Sequence, residues 1–501
     1  MPENKKQTNT VRPPVVVIVG HIDHGKSTLL DYIRKTNIVD GEAGGITQHL
    51  SAYEVVHKDE TGENRAITFI DTPGHEAFSD MRNRGAKVAD IAILIVSAED
   101  SVKTQTIEAL SSIKQSGVPF IVAVNKIDKP GANLEKVKLD LAENEVYVEG
   151  YGGTVPIVPI SAKIGTGIPE LLDMIILVAD LGELQGDPNK NAEGFVIESN
   201  RDPKRGITAT LLIKDGVLSK GKYIVSGESL VPTRIVENFL GKTIDKASYS
   251  SPVRVVGFDK MPVAGNPFKI YDSKKEAEDA VKEYQDSIEK NGAPETYGAG
   301  VVVIPIIVKT DVLGTNDAVV KEIKKLDEET VKFKIIDAGV GTISESDLKT
   351  AQSDNNVIII GFNVKLDVRA EDIKQKNNIT VETFDIIYKI SEFLEGVKNT
   401  RRPVNEVEEV IGSLKVIKTF NKTKDRQVLG CRVTEGKIID GAIVKIMRRE
   451  FEIGKAKVVG LEQSKMQTKE VVEGLECGVL VESKLEIAPG DILSAVEIVK
   501  K

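Results

Sequence analysis

The sequence predicts a multidomain protein that mixes α/β and all-β parts. An α/β domain is expected over residues 14–185, a β-barrel over 192–272 and a helical connector over 273–298. A three-layer α/β domain then spans 299–400, and a second β-barrel spans 404–501. Three observations carry this reading. At 501 residues the chain is too long for one core, and roughly 150 residues per domain suggests three or four. Two stretches alternate near-continuous Val/Ile runs with helical patterns, as strands buried on both faces of a parallel sheet require. The stretches between and after them show short alternating runs with frequent turn residues, the texture of small barrels.

Composition narrows the class. Apolar residues make up 41% of the chain, as in a folded globular protein. No apolar run approaches the ~18 residues of a membrane span, so no membrane partner is expected. The opening MPENKKQTNTVRPP is polar and proline-containing, unlike a secretory signal, and residues 1–13 are expected to form a disordered lead-in. Cys431 and Cys477 are the only cysteines, which excludes a disulfide framework and suits a reducing cytoplasm. All five histidines fall within the first 75 residues, far from both cysteines, which argues against a Cys/His zinc site. A formal charge of −9 argues against coating nucleic acid by bulk electrostatics but leaves room for a local RNA contact.

In the first domain the expected strands are VVVIV from Val15, AITFI from Ala66, IAILIV from Ile91, FIVAVN from Phe120 and VPIVPI from Val155. Helical stretches such as TQTIEALSSIKQSG, closed by Gly117, supply right-handed crossovers. GDPNKN, residues 186–191, is a polar linker. SKKEAEDAVKEYQDSIEK from Ser273 reads as the connecting helix. VVVIPIIV, VVKEIKKL, VKFKIID, a helix capped by Ser344, VIIIGFNV and VETFDIIYKISEFLEGV build the second α/β domain. Arg401-Arg402-Pro403 breaks the chain. An internal repeat links the two barrels. Gly216 and Gly221 precede YIVSG, and VAGNPFKI follows; Gly436 and Gly441 precede AIVKI, and IAPGDILSAVEI follows.

The chemistry is concentrated at strand ends. Gly20-His21-Ile22-Asp23-His24-Gly25-Lys26-Ser27 fits G-x-x-x-x-G-K-[S/T] between a strand and a helix, the context that motif requires. Its glycines let backbone N–H groups curl around a β-phosphate, and the helix N-terminus, with Thr28, adds positive potential. Lys26 would reach the β- and γ-phosphates, and the Ser27 hydroxyl would bind Mg²⁺. Taken alone, the pattern also fits a glycine-rich turn that merely caps a helix. Three further segments decide the matter. Asp71-Thr72-Pro73-Gly74 ends the second strand, where a carboxylate holds the metal's water shell and a glycine N–H meets the γ-phosphate. Asn125-Lys126-Ile127-Asp128 ends FIVAVN, and an Asp carboxylate there accepts from guanine N1 and N2. Adenine offers no such pair, so the segment selects GTP over ATP. Ser161-Ala162-Lys163 ends the next strand and touches the base at O6.

Gly44-Gly45-Ile46-Thr47 lies where a threonine closes over Mg²⁺ while the γ-phosphate remains, giving Ser27, Thr47 and Asp71 (through water) as the metal set. His75 directly follows the γ-phosphate glycine. A lone histidine is usually structural, but this position favours orienting the attacking water, because phosphoryl transfer needs positioning more than a strong base. Asp23 either binds a monovalent cation or caps the turn.

GHIDHGKSTLL, DTPGHEAF and NKID resemble the translational GTPases. EAGGITQHLSAYEV, DTPGHEAFSDMRNRGAKVADIAILIVSAED, KTDVLGTNDAV, IIDAGVGTISESDL, VIIIGFNV, GCRVTEGKI and GLECGVL resemble bacterial translation initiation factor two in particular. The resemblance runs from Pro14 to the C-terminus. It implies a cytoplasmic, monomeric GTPase that places formylmethionyl initiator tRNA on the small ribosomal subunit and promotes joining of the large one. Ribosome-stimulated hydrolysis then permits release. Another translational GTPase delivering a specialised aminoacyl-tRNA is the alternative. Elongation factor Tu-like chains and sulfate-activating GTPases fit worse, since they lack an α/β domain between the barrels. The resemblance also implies a tRNA pocket at Cys431, Glu476, Cys477 and Gly478, although small side chains in a barrel core explain the cysteines equally well.

Two departures accompany the resemblance. Relatives usually carry long N-terminal extensions, whereas about a dozen residues precede the first domain here, so any anchoring by such an extension is expected to be absent. Where relatives have a basic Leu-Lys-Arg segment, this chain reads Leu461-Glu462-Gln463-Ser464-Lys465. Lys465 or the pair Arg448-Arg449 are the candidate replacements. Residues 404–501 carry 17 Lys/Arg against 16 Asp/Glu, a balance that permits RNA contact without demanding it.

Overall fold

The computed structural model describes residues 10–34, 49–59, 61–287, 301–352, 356–377, 379–401, 406–423, 425–449, 451–464 and 466–500. The chain forms two compact units, Met1–Arg401 and Arg402–Lys501.

The first unit opens with a six-stranded sheet. Its strands lie in the order Ser51–Lys58, Asn64–Asp71, Val15–Gly20, Ile91–Ser97, Phe120–Asn125, Ile157–Pro159. The last five are mutually parallel. The valine run shows why it must be central. Val15, Val17 and Val19 pack into one core with Ala109, Leu110 and Ile113 of helix Thr104–Ser116. Val16 and Ile18 face the opposite core, with Leu29, Leu30, Leu171 and Ile175. Each such side chain, fully buried, contributes about 1.5–3 kcal/mol. The run therefore stabilises both helical layers at once and sets the loop that follows it.

Two expectations need correction. Ser51–Lys58 is a strand that the sequence reading omitted; it pairs antiparallel to Asn64–Asp71 at the sheet edge. Its partly exposed, mixed pattern lacks the Val/Ile run of the central strands. Residues 10–12, expected within a disordered lead-in, are ordered. Thr10–Val11 pairs with Gln185–Gly186, and Arg12 binds Asp90 in a fork of two 2.6 Å bonds. Lys214 of the barrel reaches the same carboxylate at 2.7 Å, and burial with two cations keeps this a paired charge between domains.

The barrel-like domain is a seven-stranded antiparallel sheet around one core that includes Val196, Leu211, Ile224, Val236 and Phe268. Helix Lys274–Ser287 follows as expected; the rest of the connector lies outside the described residues. The α/β domain has four parallel strands in the order Val331–Val340, Val302–Thr310, Ile358–Phe362, Thr380–Phe384. Ile304, Ile306 and Val308 join Val319 and Ile390 on one face, while Ile307 and Ile359 join Leu348 and Ala370 on the other. Two helical layers on one sheet give the expected three.

In the second unit, strands Glu406–Thr423, Ile492–Lys500, Ile443–Arg448, Phe451–Gln463, Glu476–Glu482 and Arg426–Ile439 pair in that order. The last also pairs with the first, which closes the barrel and removes its edges. The repeat between the barrels is geometric as well as verbal. Gly216, Gly221 and Gly265 have φ of 79°, 86° and 88°, and Gly436, Gly441 and Gly490 have 63°, 87° and 96°. All six sit in the left-handed region that only glycine enters freely, so both barrels turn at the same places.

Candidate functional site

The P-loop is held from three sides. After Gly20 the chain makes a short 3-10 turn, Ile22–His24, then Gly25 in a left-handed conformation and helix Lys26–Arg34. Asn125 is the hub of the site. Its Nδ2 donates to the His24 carbonyl at 2.8 Å, and its Oδ1 accepts from the Ala162 amide at 2.9 Å. One side chain thus ties the P-loop to the Ser161-Ala162-Lys163 loop. A Cβ on Gly25 would run into that amide, so glycine there serves close approach as well as backbone freedom. His24 is buried beneath the loop and pushed down to about 4, chiefly by burial, so it is neutral and structural. His21 is likewise lowered by burial.

Lys26 is buried, and its Nζ donates to the carbonyls of Gly20 at 2.9 Å and His21 at 2.7 Å. Burial lowers it to about 8, with Asp71 acting in the opposite sense. Gly74 passes so close to this ammonium that a Cβ there would strike Nζ. The DTPG segment therefore lies directly over the P-loop lysine. Thr72 ties it to the sheet by donating to the Ile18 carbonyl at 2.8 Å. Asp71, Thr72, Pro73 and Gly74 are all buried. Ser27 is half-buried, Asp23 and Thr28 are exposed, and Thr47 lies outside the described residues.

At the other end, Ser161 Oγ donates to Asp128 Oδ1 at 2.6 Å, which lowers that carboxyl's pKa. Lys126 takes a left-handed φ of 66° to make the turn between Asn125 and Asp128. Asp128 itself is exposed. It stands at the rim, with Lys163 also exposed nearby.

His75 is buried, and its Nδ1 accepts the Ala77 amide at 2.8 Å. A ring nitrogen that accepts carries no proton, so the hydrogen is on Nε2. Burial lowers the ring's pKa, which keeps it neutral. The sequence reading missed the residue beneath it. Arg82, 1% exposed, donates through Nη1 to the carbonyls of Pro73 and His75, and through Nη2 to Glu108 at 3.2 Å. A signal was available: Phe78, Met81, Arg82, Gly85 and Ala86 share one helical face, and an arginine on an otherwise apolar face invites explanation.

In the second barrel the cysteine side chains face the core. Cys431 and Cys477 are direct cross-strand partners and belong to the hydrophobic core, at 1% and 6% exposure. Burial raises both thiols, Cys477 to about 11. The side chains alternate along Glu476–Glu482, so Glu476 and Gly478 face outward where Cys477 faces in. Gly478 pairs with Gly430, forming a notch without side chains; Phe420 lies against Gly430, and Glu462 pairs with Gly478. Arg448 is engaged by Asp491 in a fork of 2.9 and 2.7 Å, so it is not a free substitute cation. Lys465 lies outside the described residues.

The phosphate loop, the NKID and SAK segments and DTPGH at adjoining ends of the parallel strands of one sheet are the arrangement of a translational GTPase. Residues 12–180 match the elongation factor Tu GTP binding domain family, and residues 191–269 match elongation factor G domain 2. Residues 274–395 match the translation-initiation factor 2 family. Over 98% of its length the chain is 41% identical to translation initiation factor IF-2 of Bacillus pumilus, covering 71% of that protein. It is also 41% identical to IF-2 of Persephonella marina and 39% identical to IF-2 of Rhizobium meliloti, over 98% and 97% of this chain. The chain spans 56% of each of those two relatives. Among solved structures, GDP-bound aIF5B from Aeropyrum pernix aligns with 97% of this chain and 92% of its own at 27% identity and a TM-score of 0.48. The chain belongs to the translation initiation factor IF-2 family. Among the described residues, no helix is long and apolar enough to cross a membrane.

Proposed function

We propose that this chain binds GTP with Mg²⁺, places formylmethionyl initiator tRNA on the small ribosomal subunit, promotes large-subunit joining, and hydrolyses GTP when the assembled ribosome stimulates it. The observation that carries the nucleotide reading is the Asn125 hub, which joins the phosphate loop to the base-reading loop through one buried amide. Lys26, already buried with its ammonium on the Gly20 and His21 carbonyls, supports β- and γ-phosphate binding, and its burial strengthens that attraction. Ser27 and Asp71 offer the hard oxygen donors that Mg²⁺ prefers. The described residues hold no cluster of three or more His, Cys, Asp or Glu for a metal. Mg²⁺ bound at Ser27 and Asp71 would screen the charge that develops on the phosphate oxygens.

Hydrolysis forms a bond from water oxygen to the γ-phosphorus and breaks the β–γ bridging bond, leaving GDP and phosphate. Lys26 and the P-loop amides steady the leaving oxygens. His75 is neutral at working pH and carries its proton on Nε2, so it orients water by hydrogen bonding rather than by storing charge. In the second barrel, the Gly430–Gly478 notch beside Phe420 is the proposed seat for the acceptor end of the tRNA, with Glu476 at its edge. The experiment is tRNA protection. The chain with GTP should shield formylmethionyl-tRNA from deacylation better than it shields elongator aminoacyl-tRNA, and equal protection of both would sink the initiator reading.

A further inference from the structure

Gly74 and His75 are neighbours with different surroundings. Gly74 lies against Lys26 Nζ. His75 lies against the α/β domain: its ring is 4.1 Å from that of Tyr388, centroid to centroid, with the planes at 55°. Phe78 meets the same imidazole edge-on at 6.0 Å. The charged groups that bear on His75 are Glu322, Glu76, Arg82 and Lys325, two of them from helix Leu313–Lys325 of the α/β domain. Lys26 is not among them.

The Nδ1 bond to Ala77 fixes the ring, yet the Nε2–H is buried without an acceptor among the described residues. A buried donor left unpaired is costly, and it persists only where surrounding contacts over-determine the geometry. Those contacts come in two kinds. Ala77, Phe78 and Met81 are built into the core of the α/β domain beside Ala318 and Val319, so this segment and that domain move together. Around them run ion pairs: Lys325 with Glu76 at 2.8 Å, Lys321 with Asp80 at 3.3 Å, and Arg84 with Asp317. Tyr388 differs from both. It is 54% exposed and covers His75 from the rim, where a small shift would uncover the imidazole without disturbing the core.

We infer that Tyr388 is a positioning residue for His75: its ring holds the imidazole on the α/β-domain side of the DTPGH segment, so the Nε2–H meets water on the γ-phosphate only after this contact opens. The inference rests on the reading of His75 as the water-orienting group. It assigns to the α/β domain a restraint on the timing of hydrolysis.

The full chain tests it. Tyr388→Ala should raise ribosome-independent GTP hydrolysis on the order of fivefold, with unchanged affinity for GTP and GDP. The pKa of His75, followed by NMR of labelled histidine, should rise as the ring loses cover. Tyr388→Phe keeps the ring and should match the wild type in both readouts, which controls for folding. Adding His75→Ala to Tyr388→Ala should abolish the gain. An unchanged rate with an unchanged His75 pKa would overturn the positioning role, as would a fall in rate. A gain that survives His75→Ala would overturn it too, because the effect would then run through another group. The underlying reading fails separately: His75→Ala alone would leave ribosome-stimulated turnover intact.

Discussion

The nucleotide site and the notch in the second barrel are built on opposite plans. In the first, the working groups are cross-braced inside the protein. Asn125 bonds two loops, Arg82 bonds the backbone of a third, and glycines at 25 and 74 make room where a Cβ would collide with Asn125 and Lys26. In the second, the outward groups stand on open strand faces, and the chemically distinctive cysteines are turned inward. A braced site holds its geometry before the ligand arrives, and so selects sharply; an open one takes its shape and charge balance partly from what binds. Substitutions should therefore act strongly and separably in the first site and weakly in the second.

The largest effect is expected at Asp128. If Asp128 accepts from guanine N1 and N2 as proposed, Asp128→Asn should weaken GTP by on the order of 10³-fold, while favouring xanthosine nucleotides. Competition binding checks this, and the unmutated chain should prefer GTP to ATP by at least about 100-fold. Equal ATP binding by the wild type would break the comparison at its first term. Next, His75→Ala should leave GTP affinity unchanged and lower ribosome-stimulated turnover by on the order of 10²-fold, read by single-turnover hydrolysis. Loss of binding together with turnover would mean that His75 braces the loop rather than acting on water.

A third test concerns the frame around the first site. Glu198 of the barrel-like domain is buried and accepts the Gly314 amide at 3.1 Å, at the start of the α/β-domain helix Leu313–Lys325. Burial pushes it from 4.5 up to about 7. The folded chain thus holds a proton between those values that the unfolded chain has released. Stability from this group is complete below pH 4.5 and is lost as pH rises towards 7. Glu198→Gln cannot ionise. Its melting temperature should match or fall below wild type near pH 5 and exceed it at pH 8, by the equivalent of roughly 1–2 kcal/mol after the amide's own unpaired donors are counted. A constant difference across that range would place the ionisation elsewhere.

The sequence made the two sites legible to different degrees, for physical reasons. Phosphate and guanine recognition demand fixed residue types at strand ends, so Gly20 to Thr28, Asp71 to His75, Asn125 to Asp128 and Ser161 to Lys163 can be read without a structure. The turn glycines of the two barrels were legible because backbone sterics leave few alternatives at positive φ. Arg12 with Asp90, and Tyr388 with the His75 ring, join residues distant in sequence and leave no local pattern to read, whereas Arg82, seven residues from His75, shows only as a charge on an otherwise apolar helical face. The cysteines were ambiguous because a thiol packs as readily in a core as in a pocket. Burial decides for the core. Cys431→Ser should therefore cost about 1–3 kcal/mol of barrel stability, the price of burying a hydroxyl with no partner, with little change in tRNA affinity at temperatures where the barrel stays folded.

The smallest effect is expected at the rim of the notch. Glu462 is exposed and pairs across the strands with Gly478, so its charge sits beside the surface proposed for the tRNA acceptor end. Gln463, partly buried, follows it and pairs with Met466. Arg448 is occupied by Asp491 and cannot lend its charge without breaking that fork. A carboxylate at this position repels phosphate, while water and salt screen it, so the penalty is modest. Glu462→Lys with Gln463→Arg reverses the sign. Each new phosphate contact should steepen the dependence of log affinity on log salt by roughly one, and initiator tRNA should bind a few-fold more tightly near physiological ionic strength. Titrations of the full chain at several salt concentrations separate the two terms. Tighter binding with an unchanged salt slope would point to altered local structure, and no change in either quantity would move the tRNA to another face of the barrel.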